Sequence, residues 1–197
     1  MSYEQTEKKT TVEILIQGYC YTEDPDGKSE RACSTIALVK DRNLNIISDP
    51  GSMANPDDLI KKLKERGLTP KEIDMVFISH SHMDHYKYVG LFPDAKVLDY
   101  WGLWEGDRCL SGVRIVNENI FVKETPGHTA DSITLIVQAD QGKFAICGDV
   151  FWEKDLPEKD LFATDPIRLK QSRKQMLELA DYIIPGHGGM YKTSLNE

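Results

Sequence analysis

The sequence predicts an α+β protein in which two β layers are flanked by helices. Two observations carry this reading. Short strand-like runs dominate the chain, with only two stretches of convincing helical pattern, and the order of elements does not repeat as β-α-β units would. Val12 to Ile16, Ser34 to Val39 and Leu44 to Ser48 read as strands. The polar stretch YTEDPDGKSE, with turn formers Pro25 and Gly27, reads as a loop between the first two. NPDDLIKKLKERG has helix punctuation: Asn55 can cap it, Pro56 fits its first turn, Asp57 and Asp58 favour its positive end, and Gly67 stops it. Thr69 and Glu72 then form a capping-box pattern. Met75 to Ser79 reads as a short buried strand that runs into His80. Further strands are expected in KVLDY, VRIV, IFVKE, ITLIVQA and KFAICGD. Asp165 to Ala180 reads as an amphipathic helix with Leu169, Met176, Leu177 and Ala180 toward one face. DYIIPGHGG is a last strand entering a glycine loop. Residues 1–11 read as a flexible tail and residues 12–197 as a single domain.

The chain has 197 residues, enough to bury a core of its own. Its net charge of -8 argues against nonspecific attraction to nucleic acid or to an anionic membrane. No run approaches the roughly 18 apolar residues that would span a bilayer. The polar start MSYEQTEKKT lacks an apolar segment of the kind that directs export, so a cytoplasmic location and no membrane partner are expected. Cys20, Cys33, Cys109 and Cys147 form no CxxC pair and are expected to be reduced, with a Cys20–Cys33 bridge left open.

The chemistry is concentrated in five histidines. His80, His82 and His85 fall in the segment HSHMDH together with Asp84, directly after a buried strand. Imidazoles and carboxylates are good ligands for zinc, iron and manganese. A segment leaving a strand can turn and aim its donors in more than one direction, as two neighbouring ions require. His128 follows Thr125-Pro126-Gly127, and His187 follows Ile184-Pro185-Gly186. A Pro-Gly turn fixes one side chain firmly at a sheet edge. Asp149 ends the apolar run FAICG, where a carboxylate is costly unless something positive faces it. A lone histidine is more often packed or merely exposed than a ligand, so the argument rests on all these features together.

HSHMDH, TPGH, CGDV and IPGHG, in this order, resemble the metallo-beta-lactamase superfamily. The resemblance spans essentially the whole chain. It implies a four-layer αβ/βα sandwich with a binuclear site at one edge of its two sheets. Carried over residue by residue, His80, His82 and His128 would hold one metal, Asp84, His85 and His187 a second, and Asp149 would bridge them. Asp49, in SDPG, would support the His-rich loop without binding metal. ILIQGY, GLFPDA, GDVF and DPIRLKQSRKQMLELADYIIPGHG resemble a subgroup with nuclease and glyoxalase II-like members.

The expected cofactors are two divalent ions, zinc first, with iron and manganese as alternatives. They would activate a water for hydrolysis, with Asp84 and Asp149 in catalytic roles and either Asp84 or a metal-bound water donating a proton to the leaving group. The expected substrate is single-stranded RNA, on the subgroup resemblance. The alternatives are a small ester or thioester, as in glyoxalase II, and a metal-binding role without turnover. A homodimer is left open. Aspartate at 149, where zinc beta-lactamases commonly place cysteine, argues against antibiotic hydrolysis. Tyr100, Trp101 and Trp104 form an aromatic cluster that reads as core or pocket wall, with base stacking as the sharper alternative. Tyr86 and Tyr88 are candidates to line the pocket. Arg168, Lys170, Arg173 and Lys174 read as a solvated helix face, with phosphate contact by Arg173 and Lys174 as the sharper alternative.

Overall fold

The computed structural model describes residues 9–24, 29–154 and 157–193. Most of the expected tail, residues 1–8, lies outside these, as do Pro25 and Gly27 of the polar loop. The last part of the expected tail is packed: Thr10 is buried and donates from Oγ1 to Asp41 at 2.6 Å.

The described strands are β1 (Thr11–Ile16), β2 (Tyr19–Thr22), β3 (Glu30–Cys33), β4 (Ile36–Asp41), β5 (Leu44–Ser48), β6 (Met75–Phe77), β7 (Lys96–Leu98), β8 (Gly102–Glu105), β9 (Arg108–Ser111), β10 (Ile120–Glu124), β11 (Ile133–Ala139), β12 (Gly142–Gly148), β13 (Tyr182–Pro185) and β14 (Tyr191–Lys192). The helices are α1 (Asp57–Lys64), the single turn α2 (Met83–Tyr86) and α3 (Pro166–Leu179). One sheet runs in the order β1-β4-β5-β6-β7-β8-β9 and the other β10-β11-β12-β13-β14. The pairs β5–β6, β6–β7 and β12–β13 are parallel.

The side-chain period of two sorts each strand between two cores. Ala37, Val39, Ile46, Phe77, Leu135, Phe144, Ile146 and Ile184 face inward and fill the space between the sheets. Their neighbours Leu38, Ile47 and Val76 face outward and meet Leu59 and Leu63 of α1. On the second sheet, Ile136, Ala145, Cys147 and Ile183 face outward onto Leu169 and Met176 of α3. The layers are therefore helix, sheet, sheet, helix, an αβ/βα sandwich. The Asn55 side chain accepts the Asp57 N–H at 3.1 Å at the start of α1, and Gly67 at φ +69° ends the turn that follows it. At α3, the Asp165 carboxylate accepts the N–H groups of Ile167 and Arg168.

Two expectations need correction. The polar stretch after Tyr21 is not simply a loop, because β2 and β3 pair across it as a hairpin. That hairpin joins neither large sheet and is largely exposed, so it has no buried face to leave an alternating apolar signal. VRIV, residues 113–116, is not a strand; it touches β10 through one bridge, Ile115 to Phe121, and Ile115 is 74% exposed. The sequence reading also omitted the hairpin β8–β9, whose turn carries Gly106 at φ +60°.

Leu63 is fully buried between α1 and the first sheet. Leu63→Ala should cost about 2–5 kcal/mol of unfolding free energy in urea denaturation. Metal content of the folded fraction should be unchanged, since no donor residue lies in that layer.

Candidate metal centre

Strand ends bring the predicted residues together. The segment from His80 to His85 leaves β6 and enters α2, with His82 just before the helix and Asp84 and His85 within it. His128, Asp149 and His187 follow β10, β12 and β13. The seven residues converge from the two sheets at one edge of the sandwich. Their donor atoms form two groups, His80, His82, His128 and Asp149 in one and Asp84, His85 and His187 in the other, with each group's donors within 4.8 Å of one another.

In the first group, His82 Nδ1 lies 3.0 Å from His80 Nε2 and 3.1 Å from His128 Nε2. Four-coordinate zinc with Zn–N bonds of about 2.0–2.1 Å has ligand atoms roughly 3.3 Å apart, so this spacing is that of a closed donor set. In the second group, Asp84 Oδ2 lies 3.7 Å from His85 Nε2 and 3.6 Å from His187 Nε2. Asp149 reaches both groups. Its Oδ1 is 3.2 Å from His85 Nε2, and its Oδ2 is 3.4 Å from His128 Nε2 and 3.3 Å from His187 Nε2.

The opposite nitrogen of four of the imidazoles is held from behind. Ser79 Oγ is 3.0 Å from His80 Nδ1. Asp49 Oδ2 is 3.1 Å from His85 Nδ1, while its Oδ1 accepts the Ser79 N–H at 2.7 Å. The Cys33 carbonyl is 3.1 Å from His187 Nδ1. Asp160 Oδ2 is 2.6 Å from His128 Nδ1, and both side chains are buried. Such partners fix ring orientation and raise ligand basicity. Asp49 takes up its place at φ +42°, a left-handed conformation that aspartate tolerates better than most residues and that costs strain here. Asp160 was not singled out by the sequence. It sits in the polar stretch LPEKDLF, 32 residues from its partner, and no local pattern marks it.

The cluster is electrostatically and sterically built for a cation. His85 Nε2 and Asp149 Oδ1 are buried and make no hydrogen bond among the described residues, although they lie 3.2 Å apart. A buried acceptor and a buried imidazole nitrogen left this way are costly unless an ion lies between them. Burial, aided by the neighbouring imidazoles, pushes His80 well below its ordinary pKa; burial also lowers His82. Both are thus neutral, the form that binds metal. For Asp149, burial opposes the charge, but His85 and His187 outweigh it and hold the carboxyl well below the usual range. His85 is raised despite its burial by Asp149 and Asp49, and an incoming cation would displace its proton. Space is equally constrained. A Cβ on Gly186 would come within 1.9 Å of Asp149 Oδ1, and one on Gly148, itself at φ +51°, within 2.2 Å of Ser79 Oγ. These donors fit a pair of divalent ions.

Residues 31–108 match the sequence profile of the metallo-beta-lactamase superfamily. Metallo-beta-lactamase domain-containing protein 1 of Xenopus laevis is 31% identical over 193 residues, covering 93% of this chain and 82% of that protein. The chain belongs to the metallo-beta-lactamase superfamily. Two solved structures are similar to it in fold. A putative metallo-beta-lactamase from Thermotoga maritima superposes with a TM-score of 0.74 at 22% identity, over 94% of this chain and 100% of that one. An N-acyl homoserine lactone hydrolase, seen with N-hexanoyl-L-homoserine product at its catalytic metal centre, gives 0.67 at 17% identity, over 93% and 94%. As a metallo-beta-lactamase superfamily member the chain is a metal-dependent hydrolase, and the His/Asp cluster is its metal-binding feature.

Other candidates fall in different places. All four cysteines of this superfamily member are free; Cys20 is half-buried beside the cluster, and burial pushes its thiol up to about 11. Arg173 is not on a solvated face. It folds under the segment after β12, donating to the Val150 carbonyl at 2.7 Å and the Pro157 carbonyl at 2.9 Å, with its guanidinium over the Phe151 ring. Those carbonyls lie outside any strand, and the arginine supplies the donors they lack. Lys174 is exposed and pairs with Glu178, one helical turn on.

The metallo-beta-lactamase assignment leads to two measurable outcomes. Purified protein should take up close to two divalent ions per chain, and Asp149→Ala should lose most of that capacity and turnover by orders of magnitude while staying folded. Near-normal metal content in Asp149→Ala would remove its bridging role. Asp160→Ala should weaken ion binding about 10–100-fold in chelator competition, because His128 loses the group that orients it.

Proposed function

We propose that the chain hydrolyses a small carboxylic ester or thioester, with zinc as the favoured ion. One observation carries this reading. The cleft that opens on the cluster has a volume of about 300 Å³, and no lysine or arginine is among its described lining residues. Ala32, Met83, Trp152 and Phe162 give it apolar walls, and Glu30 is the charged residue it has beyond the cluster itself. That size suits a small molecule. A nucleic-acid strand needs cations along its track, and the arginine expected to supply one, Arg173, is committed to backbone carbonyls. The lactone hydrolase of similar fold, whose substrate is a cyclic ester, also supports the reading.

When bound, the two ions would polarise the scissile carbonyl and make a water acidic enough to attack near neutral pH. The rest falls to the chain. His80, His82 and His128 would hold one ion and Asp84, His85 and His187 the other, with Asp149 reaching both groups. Asp84 is the more exposed of the two carboxylates, and it lines the cleft. It would accept a proton from the attacking water and return it to the leaving oxygen or sulfur. A bond forms from the water oxygen to the carbonyl carbon, and the carbon–oxygen or carbon–sulfur bond breaks. Trp152 stacks on Phe162 with ring centroids 5.7 Å apart and lies nearly perpendicular to the rings of both His128 and His187. This aromatic pair would exclude bulk water and hold the apolar part of the substrate.

A parallel screen of small esters, lactones, thioesters and single-stranded RNA on the metal-loaded protein tests the proposal. Metal-dependent turnover of the small acyl compounds, with RNA intact, is the expected result. RNA cleavage with the acyl compounds untouched would replace it with the nuclease reading. Phe162 is 51% exposed, so its truncation should not unfold the chain. Phe162→Ala should raise KM roughly 5–30-fold, equivalent to about 1–2 kcal/mol of lost apolar contact, with a smaller change in kcat.

A further inference from the structure

The aromatic residues near the ligand loop divide into two sets. Tyr88 donates to the Met53 carbonyl, and Trp104 Nε1 donates to Asp99. Tyr86, Tyr100 and Trp101 instead line a separate cleft of about 230 Å³, beside the ends of β6 and β7. It shares no lining residue with the cleft over the metal cluster, but His80 of that cluster and Ser81 form part of its wall. Tyr100 and Trp101 stand almost at right angles, 85° between planes and 5.2 Å between centroids, and Trp101 is 65% exposed. So large an apolar surface left open at a cavity mouth is characteristic of a ligand wall.

Charge identifies the ligand. Asp99 and Asp131 line the same cleft. Asp99 accepts from the N–H groups of Trp101 and Gly102 and from the Trp104 indole, and Asp131 accepts from the Ser81 hydroxyl. These neutral donors satisfy lone pairs without cancelling charge, and no ion pair among the described residues includes either carboxylate. Arg114 is the cation near Tyr100, 5.6 Å from its ring centroid, but it does not line the cleft and is paired with Glu124. Aromatic faces and uncompensated carboxylates both favour a cation, and the apolar remainder of the wall favours an alkylated one. We propose that this cleft is a binding site for an organic ammonium group, adjoining the metal cluster at His80 but opening separately from it. The proposal does not rest on the hydrolytic reading, because it concerns binding alone.

The probe is choline, compared with 3,3-dimethylbutan-1-ol, which has the same shape with carbon in place of the charged nitrogen. Binding to metal-loaded protein is followed by the indole N–H resonances, with that of Trp101 assigned by its loss in Trp101→Ala. Choline should shift the Trp101 signal saturably and bind roughly tenfold more tightly than the alcohol. Its affinity should fall at high salt and drop by a similar factor in Trp101→Ala, read by calorimetry. Equal affinity for the alcohol would overturn the proposal. So would unchanged binding in Trp101→Ala, or a shift confined to Trp152, which would put the cation over the metals instead.

Discussion

Five imidazoles can point their donor nitrogens at a common centre only if something else holds the rest of each ring. In water an imidazole has no reason to choose that direction, and in a packed interior the other nitrogen must find a partner or carry an unmet cost. Here a hydroxyl, two carboxylates and a backbone carbonyl supply those partners for His80, His85, His128 and His187. The partners come from β5's end, the start of the His-rich segment, the end of the β2–β3 hairpin and the segment before α3. Assembly of the centre therefore depends on both sheets being in place, and the strained backbone at Asp49 is one cost of bringing them together.

The legible parts of the sequence were those written locally. HSHMDH places donors within a few residues of one another, and each Pro-Gly-His turn is its own punctuation. Most of the strands were legible in the same way, because a short run of strand-forming residues bounded by turn residues is a local signal. What escaped was long-range or two-sided. Asp160 reaches His128 across 32 residues from a stretch that reads as an ordinary polar loop. The β2–β3 hairpin faces solvent broadly, so no apolar period revealed it. Arg173 looked like one member of a charged helix face, since nothing in a helical pattern shows that the carbonyls of Val150 and Pro157 wait beneath it.

Net charge was an incomplete guide in a related way. The overall value of -8 is an average, and the two clefts carry different local balances. Over the metal cluster the carboxylates face histidines and would face ions. In the neighbouring cleft Asp99 and Asp131 meet only uncharged donors. The same residue type is thus neutralised in one place and left as an attracting field in the other.

The hairpin of β2 and β3 gives the molecule a division of labour. It supplies Cys20, Glu30 and Ala32 to one wall of the cleft, yet its backbone ladder joins neither large sheet. Its base is pinned to the rest of the fold through the Cys33 carbonyl and through the Thr35 N–H, which donates to Gly186 at 2.6 Å. The donors that would hold metal are rooted at the ends of sheet strands, whereas this wall is held by its Ala32–Thr35 stretch. Residues such as Cys20 and Glu30 can change without altering the two large sheets that carry the donors. Selectivity in such a protein can drift, generation by generation, while the reactive machinery stays fixed.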